Sequence, residues 1–213
     1  SSGTWMVVWQ DARGADDDIY CARVSSAGDV VTADRGGKVV SSVTDDQEEP
    51  SIGWDGTNFV AAWRDKSSGR AIRAGRINIS GTVLDPNGIV INSGSAGSYG
   101  PSIACRNGIS LIGWYSLDAL NADVLGTRLN SSGQVGSIAQ WSLCLQNQPH
   151  FSAAFDGTNY VVTWSDRRSG LYRVYAARVS PDGTILDPEG VLVTSGSSLD
   201  QTEPAIAWNG THY

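Results

Sequence analysis

The sequence repeats itself about every fifty residues, and this periodicity limits the fold more than any other feature. Three kinds of landmark residue recur once per repeat. The tryptophans are spaced by 54, 51 and 50 residues: Trp9, Trp63, Trp114 and Trp164. The arginines are spaced by 53, 52 and 50 residues: Arg23, Arg76, Arg128 and Arg178. The prolines are spaced by 51, 48 and 55 residues: Pro50, Pro101, Pro149 and Pro204.

Each repeat predicts four short strands, which we letter A to D. In the second repeat Pro50 begins strand A, as suits the first residue of a strand. Asp55-Gly56 then supplies the positive φ of a tight hairpin turn before strand B, which ends at Trp63. Strand C carries the repeated arginine, and a second turn leads to strand D. No segment shows helical periodicity over a useful length, so the sequence predicts an all-β fold.

The order of strands along the chain is BCD, ABCD, ABCD, ABCD and A, which amounts to sixteen strands. We therefore predict a four-bladed β-propeller with four antiparallel strands per blade. Residues 205–208 would pair with residues 5–9, so that the C-terminal strand completes the first blade. The predicted single domain covers residues 1–213, with repeat units at about 1–47 plus 202–213, 48–98, 99–147 and 148–201. The alternative is a piece of a longer array, because residues 210–213 partly duplicate residues 3–5 in the repeat frame.

One stretch carries a family resemblance. The run FDGTNYVVTWSD at 155–166, with Ala177-Arg178-Val179 and Asp182-Gly183 downstream, resembles the repeats of secreted or surface-anchored bacterial and archaeal β-propeller proteins. It is more distantly similar to the TolB-type repeat. The resemblance implies a propeller fold and an extracellular or cell-surface location. The third repeat departs from the pattern, since Arg106-Asn107-Gly108 replaces the Asp-Gly turn and residues 115–118 replace the Ser-Asp-Arg run.

Charge and composition exclude some function classes. The formal net charge of −7 opposes binding to nucleic acid, which needs clustered lysine and arginine. No run of eighteen apolar residues occurs, so no membrane insertion is expected. The three cysteines fall at different positions of the repeat and are predicted to be buried small hydrophobic residues: Cys21, Cys105 and Cys144.

The repeated tryptophans and arginines are predicted to maintain the fold. A catalytic site breaks one bond in one place, whereas these residues recur in every repeat. The five N–H donors of an arginine can satisfy several backbone carbonyls at once. The same argument applies to the carboxylates that follow three of the tryptophans by two residues: Asp11, Asp65 and Asp166.

Acidic residues concentrate in two loops. Asp16-Asp17-Asp18 lies in the B–C loop of the first repeat, and residues 45–49, which include Asp46, lie in the following D–A loop. Both kinds of loop emerge on one face of an antiparallel blade. A solvated rim is one interpretation of such a patch. The clustered oxygens also leave open a Ca²⁺ ion on this face, while no motif for another cofactor is present.

The same face carries aromatic and arginine side chains in the predicted loops: Tyr99, Tyr115, Tyr172, Arg13, Arg167 and Arg168. Sugar rings stack on aromatic rings, and arginine donates hydrogen bonds to hydroxyl groups. Loop tyrosines also serve simply to cover neighbouring blades. We predict ligand binding by Tyr99, Tyr115, Tyr172, Arg13, Arg168 and Asp46.

The sequence favours a non-catalytic extracellular module that binds carbohydrate or protein, or acts as a scaffold. The two histidines, His150 and His212, fall on opposite faces, and no nucleophile elbow occurs. A glycan-acting hydrolase or lyase that uses loop carboxylates is the first alternative. A purely structural repeat of a larger surface protein is the second.

Overall fold

A computed structural model describes residues 3–67, 69–93, 97–117, 122–144, 151–196 and 198–213. The described residues form an all-β structure with one short 3-10 turn at Thr32–Asp34. The strands are β1 Trp5–Asp11, β2 Asp18–Val24, β3 Lys38–Ser41, β4 Gln47–Trp54, β5 Asn58–Asp65, β6 Ala71–Asn78, β7 Ile89–Asn92, β8 Ser98–Arg106, β9 Ile109–Leu117, β10 Ala122–Asn130, β11 Ala139–Cys144, β12 Phe151–Phe155, β13 Tyr160–Asp166, β14 Arg173–Val179 and β15 Val191–Leu192.

The strands form four antiparallel sheets in chain order. The first sheet has three strands, β1-β2-β3, and the others have four: β4 to β7, β8 to β11 and β12 to β15. Each sheet is a simple meander, because neighbouring strands are consecutive along the chain. The predicted letters B, C and D therefore correspond to β1, β2 and β3, and strand A begins each of the other sheets.

The A–B turns form where the sequence predicts them. The carboxylate of Asp55 accepts hydrogen bonds from the backbone N–H groups of Thr57 and Asn58, both at 2.7 Å. Asp156 accepts the same two bonds from Thr158 and Asn159, also at 2.7 Å. The side chain thus replaces backbone partners within the turn. Gly56 follows with a φ of 99°, which favours glycine.

The hydrophobic core lies between neighbouring sheets. Met6 and Ile19 of the first sheet pack against Phe59 and Trp63 of the second. Similar clusters join the second sheet to the third and the third to the fourth. An interior strand such as β5 is therefore buried along nearly its whole length, whereas β1, at the end of the row, alternates between exposed and buried residues.

Three of the four repeated tryptophans pack on glycines before strand D, namely Trp9, Trp63 and Trp164. Trp63, Trp114 and Trp164 are fully buried, and Trp9 is partly buried. A Cβ atom added to Gly88 would lie 2.7 Å from the Trp63 ring. Gly37 and Gly190 face Trp9 and Trp164 in the same way. The structural role of these tryptophans stays a prediction.

Three repeated arginines link adjacent sheets. Arg23 Nη1 donates to the carbonyl of Ile79 at 3.3 Å, and Arg76 Nη1 donates to the carbonyl of Ser131 at 2.6 Å. Arg128 Nη1 donates to the carbonyl of Pro181 at 3.2 Å. Each acceptor lies in the C–D turn of the next sheet. The repeat thus places one such bond at each of the three contacts between sheets.

Arg178 differs from the other three arginines and corrects the expectation that all four are mostly buried. Its side chain is 56% exposed. It forms an ion pair with Asp187 of its own sheet at 2.8 Å. The fourth sheet is the last of the row, so among the described residues no C–D turn of a following sheet lies beside Arg178.

The predicted closure by the C-terminal segment is not observed. β1 pairs with β2 alone, and residues 201–208 form no strand. The segment lies instead against the fourth sheet, where the N–H of Ile206 donates to Ser152 Oγ at 3.3 Å and the N–H of Glu203 donates to Ser165 Oγ at 3.2 Å. Strand composition alone does not determine the angle between sheets, and closure depends on that angle.

Two cysteines match the prediction of small apolar side chains. Cys21 is buried and Cys105 is partly buried, and burial raises the pKa of Cys21 to about 11 and that of Cys105 to about 12. The side chain of Cys144 lies outside the described residues. Among the helical residues that the structure describes, no segment is long and apolar enough to cross a membrane.

The contact between Trp63 and Gly88 predicts a local limit on side-chain size. Gly88→Ala is expected to lower the free energy of unfolding by about 2–4 kcal/mol, because a positive φ is combined with overlap against a buried ring. Gly157→Ala is the control, since Gly157 has a φ of 98° but its added Cβ would meet nothing within 4 Å. Urea denaturation measures both variants, and equal losses would contradict the packing argument.

The arginine contacts between sheets predict unequal effects of truncation. Arg76→Ala should cost about 1–3 kcal/mol, because it leaves the carboxylate of Asp85 and the carbonyl of Ser131 without their donor. Arg178→Ala should leave stability nearly unchanged, since the Arg178 side chain is exposed. Thermal unfolding of the two variants compares them, and a larger loss in Arg178→Ala would refute the assignment.

Candidate functional site

The two acidic loops of the first repeat meet in the structure. The backbone N–H of Asp17 donates to Asp46 Oδ1 at 3.2 Å, and the N–H of Asp45 donates to Asp16 Oδ2 at 3.2 Å. The N–H of Gln47 donates to the carbonyl of Asp17 at 2.7 Å. The D–A loop is therefore fastened to the B–C loop, and carboxylates from both loops lie side by side.

Three carboxylates form what we call the acidic cluster: Asp17, Asp46 and Glu48. One oxygen from each lies within 4.8 Å of the others. Lys66, which follows β5, places its Nζ 3.0 Å from Asp46 and 2.6 Å from Glu48. Asp17 accepts a hydrogen bond from Gln10 Nε2 at 2.7 Å. The cluster thus combines two carboxylates paired with a lysine and one carboxylate bound to a neutral amide.

The cations keep two of these carboxylates ionised. Hydrogen bonds from Lys66 and from the N–H of Asp17 lower the pKa of Asp46. Burial raises the pKa of Glu48, but hydrogen bonds from Lys66 and Arg64 outweigh it and leave the pKa below its ordinary value. The pKa of Lys66 is raised by the same bonds. Both carboxylates are therefore negatively charged at neutral pH.

Oxygen ligands for Ca²⁺ are present in the acidic cluster, but cations of the protein already neutralise part of it. Lys66 contacts both Asp46 and Glu48, and Arg64 also forms an ion pair with Glu48. A Ca²⁺ ion there would have to displace these side chains. A Ca²⁺ ion on this face therefore stays the open alternative that the sequence left.

Arg64 connects the acidic cluster to the predicted tyrosines. Its side chain is mostly buried, and its Nη2 lies 3.2 Å from Glu49. The guanidinium stands 4.7 Å from the centre of the Tyr99 ring, which stacks on Tyr115 at 5.2 Å. The Tyr99 hydroxyl accepts a hydrogen bond from Arg70 Nη1 at 2.8 Å. Tyr99, Tyr115 and Asp46 therefore belong to one continuous surface.

The first strands of two sheets are bulged at this surface. The pairing register of β4 shifts between Glu48 and Ser51, and that of β8 shifts between Tyr99 and Ser102. Glu49 has a φ of 55° and Gly100 a φ of 54°, both in the left-handed region. The Glu49 carboxylate accepts the N–H of Gly100 at 2.7 Å. Such bulges re-aim side chains, here toward the acidic cluster.

Arg13 and Arg168 lie in two separate clusters that resemble each other. Arg13 donates to Asp11 Oδ1 at 2.8 Å and stands 4.2 Å from the centre of the Tyr20 ring. Arg168 Nε donates to Asp166 Oδ2 at 2.8 Å and stands 4.4 Å from the ring centre of Tyr175. These contacts stay within one sheet, so the structure does not bring Arg13 and Arg168 together with Tyr99.

Tyr172 also lies apart from the acidic cluster, at the edge of the fourth sheet. Its N–H donates to Asp200 Oδ1 at 2.9 Å, and Arg167 stands 5.6 Å from its ring centre.

The structure describes one of the two histidines. The N–H of His212 donates to Asn209 within the last A–B turn, and His150 lies outside the described residues.

Sequence reasoning missed Arg64, Lys66 and Arg70 as parts of this site. A signal for Arg64 was present in the repeat. The residue after each repeated tryptophan differs in all four copies: Gln10, Arg64, Tyr115 and Ser165. In the structure the first three of these positions contact groups of the site. A position that varies next to a tryptophan present in every repeat therefore indicates where the repeats differ in function.

No family model matches this sequence, and no curated protein matches it. Solved structures do show similarity. One is an α-L-arabinofuranosidase of Clostridium thermocellum, at 12% identity and a TM-score of 0.54, over 99% of this chain and 77% of that one. Another is the native arabinanase Arb43A of Bacillus subtilis, at 14% identity and a TM-score of 0.51, over 99% and 83%. A third is an α-L-arabinofuranosidase of Podospora anserina in complex with cellotriose, at 10% identity and a TM-score of 0.53, over 96% and 77%.

These similarities support a β-propeller fold, although not the TolB-type repeat specifically. They also correct the functional interpretation. The expected non-catalytic binding or scaffold module is overturned, because the similar structures are glycan hydrolases: arabinanases and arabinofuranosidases.

The ion pairs of Lys66 with Asp46 and Glu48 predict how the free energy of unfolding depends on pH. Carboxylates with lowered pKa contribute stability above their ordinary pKa of about 4, and this contribution is lost as pH falls through the lower folded values. Lys66→Met should therefore be less stable than the wild type at pH 7 and pH 5, and the difference should shrink at pH 3. Urea denaturation at the three pH values measures it.

Arg35→Met is the control for this comparison, because the Arg35 side chain is exposed and has no ion pair within the described part of the chain. Its effect on stability should not change with pH. A difference between wild type and Lys66→Met that grows on acidification would contradict the assignment.

Proposed function

We propose that this protein hydrolyses glycosidic bonds in a neutral glycan, with the acidic cluster as its catalytic centre. The observation that carries the proposal is the meeting of one carboxylate oxygen each from Asp17, Asp46 and Glu48 within 4.8 Å of one another, at the start of the bulged strand β4. The similarity in fold to arabinanases and arabinofuranosidases supports it. An arabinose-containing glycan is therefore the first substrate to test.

Glycoside hydrolysis needs one carboxyl group that donates a proton and another that is ionised. Glu48 and Asp46 suit the ionised roles, since Lys66 and Arg64 lower the pKa of Glu48 and Lys66 that of Asp46. They would activate water or stabilise positive charge on the sugar ring. We assign the proton transfer to Asp17, whose described partner is the neutral amide of Gln10. Asp17 would donate a proton to the leaving oxygen as the glycosidic C–O bond breaks, while a water molecule adds to the anomeric carbon and gives up its proton to Asp46 or Glu48.

The surface beside the acidic cluster would hold the sugar. Tyr99 and Tyr115 form a rigid aromatic wall, because they stack on each other and Tyr99 is also held by Arg64 and Arg70. Burial raises the pKa of the Tyr115 hydroxyl, so it stays neutral and can donate a hydrogen bond to the substrate. The excess of carboxylates would repel an anionic glycan.

The proposal extends to the setting of the enzyme. We regard residues 1–213 as one propeller domain in which each of the four sheets is a blade. An extracellular location fits a substrate that is an external polysaccharide. Tyr172 and Arg168 would then belong to the fourth blade, and Arg13 to the first. Contact of these three residues with the ligand is a secondary expectation.

The proposed activity predicts a loss on neutralising single carboxylates. Release of reducing sugar from arabinan and of nitrophenol from 4-nitrophenyl α-L-arabinofuranoside measures it. Asp17→Asn and Glu48→Gln should each lower kcat by roughly 10²–10⁴-fold, as expected when a general acid or base is removed. Unchanged near-UV circular dichroism would show that both variants are folded.

Asp29→Asn is the matched control, because Asp29 is exposed in the C–D turn of the first sheet, at the other end of the strands. This variant removes the same charge and should keep wild-type activity. The proposal fails if the wild type cleaves none of a panel of neutral glycans, or if Asp17→Asn and Glu48→Gln remain fully active.

A further inference from the structure

The third sheet differs from the other three at the carboxylate that pairs with the repeated arginine. In the other sheets the arginine forms an ion pair with an aspartate that lies between strands C and D: Arg23 with Asp34, Arg76 with Asp85 and Arg178 with Asp187. In the third sheet the repeated arginine is Arg128, and the position of the aspartate holds Ser137. A neutral side chain thus stands in the place of the acidic partner.

The backbone supports this equivalence. In the second sheet the residue before Asp85 donates its N–H to the carbonyl of Arg76 at 2.8 Å. In the third sheet Gly136, which precedes Ser137, donates its N–H to the carbonyl of Arg128, also at 2.8 Å. The chain therefore passes the arginine at the same place in both sheets, and position 137 corresponds to Asp85.

The repeated arginine forms a complete binding site for one carboxylate. Asp85 accepts three hydrogen bonds from Arg76: from Nε at 2.8 Å, from Nη2 at 2.9 Å and from the backbone N–H at 3.0 Å. Arg23 and Arg178 give the same three bonds to their aspartates. The planar guanidinium matches the two oxygens of a carboxylate, and the backbone N–H adds a third donor.

Arg128 keeps these donors without the aspartate. Its Nη1 donates to the carbonyl of Pro181 at 3.2 Å, and no carboxylate contacts it within the described part of the chain. Nε and Nη2 therefore remain for another acceptor. The backbone N–H lies on the same side of the strand as the carbonyl that accepts from Gly136, so it also points away from β9.

A cavity adjoins these donors. Its volume is about 250 Å³, and its lining residues are Ile109, Arg128, Asn130, Gln134, Val135 and Gly136. Arg128 is the charged member of this set, and the others are apolar or neutral amides. Gly136 takes the position that Leu84 and Leu186 occupy in the second and fourth sheets, so this wall of the cavity carries no side chain. Such a volume suits a small molecule or one unit of a longer one.

We propose that Arg128 binds the carboxylate group of a small ligand, with Nε, Nη2 and the backbone N–H as donors and the cavity around the rest of the ligand. The carboxylate comes either from a free short-chain acid or from a uronic acid unit of a glycan. The site lies beside the C–D turns, on the face opposite the acidic cluster. It therefore does not depend on the proposed hydrolysis.

The donors favour a carboxylate over a phosphate. One arginine balances one negative charge, whereas a phosphate group carries between one and two charges at neutral pH. The cavity offers no second cation among its lining residues, since Asn130 and Gln134 are neutral and bond to each other at 2.9 Å. The site also has the planar, bidentate form that aspartate occupies in the other three sheets.

A titration followed by NMR tests the site directly. The reporters are the Nε–H and backbone N–H signals of Arg128, and the probes are sodium acetate, sodium glucuronate, glucose and sodium phosphate. Sodium chloride keeps the ionic strength constant, so that screening does not change during the titration. Acetate and glucuronate should shift both signals until they saturate, and glucose should shift neither. Glucuronate binding at least tenfold tighter than acetate identifies a sugar unit as the ligand, and equal affinities identify a free acid.

Ser137→Asp should close the site, because it supplies the carboxylate that the other sheets carry. We expect it to weaken binding of both acids more than about tenfold and to raise the melting temperature by about 2–4 °C. Ser137→Asn is the matched control, since it adds a side chain of similar size without charge, and it should bind more tightly than Ser137→Asp. Asp85→Ser should create a second site at Arg76, so that the stoichiometry rises from one acid per chain to two.

Three results would overturn the proposal. The first is a wild type in which neither acetate nor glucuronate shifts the Arg128 signals. The second is saturable binding of phosphate without binding of either acid. The third is Ser137→Asp that binds the acids as tightly as Ser137→Asn does. This last comparison decides the question even if Asp85→Ser does not fold.

Discussion

Every interior sheet of this protein buries both of its faces, and it can do so only against a neighbouring sheet. The apolar clusters lie between sheets, so that β5 is almost wholly buried while β1 and β15, at the ends of the row, are partly or fully exposed. The tryptophan on its glycine and the arginine on the next C–D turn are the repeated contacts that hold this arrangement. Apolar residues such as Trp5 and Val191 are exposed because the described residues form no further sheet beside them.

The same packing explains where the residues of the candidate site lie. Positions that face a neighbouring sheet must stay alike in each repeat, whereas loops and the residue after each tryptophan vary freely. Arg64 occupies such a position and joins Glu49, at the start of the second repeat, to the tyrosines of the third. Glu49 and Gly100, both in left-handed conformation at strand bulges, fasten the two sheets together at this point. The catalytic proposal rests on this asymmetric surface.

Much of the fold could be predicted from the sequence, because the landmarks are local. Pro50 marks strand A, Asp55-Gly56 the turn and Trp63 strand B, and the structure places each as predicted. The predicted meeting of Asp46 with the acidic B–C loop also holds. Closure could not be predicted, since it depends on the angles between sheets. The exposure of Arg178 and the reach of Arg64 across to Tyr99 are likewise set by distances between sheets.

A bound substrate would test most directly whether the acidic face is the working surface. The measurement is a crystal structure of the Glu48→Gln variant with an arabino-oligosaccharide, chosen so that the sugar is held but not cleaved. We expect electron density for the sugar beside Asp17 and Asp46, in contact with Tyr115. A sugar found only at the opposite face, beside the A–B turns at Asp55-Gly56 or Asp156-Gly157, would contradict the account.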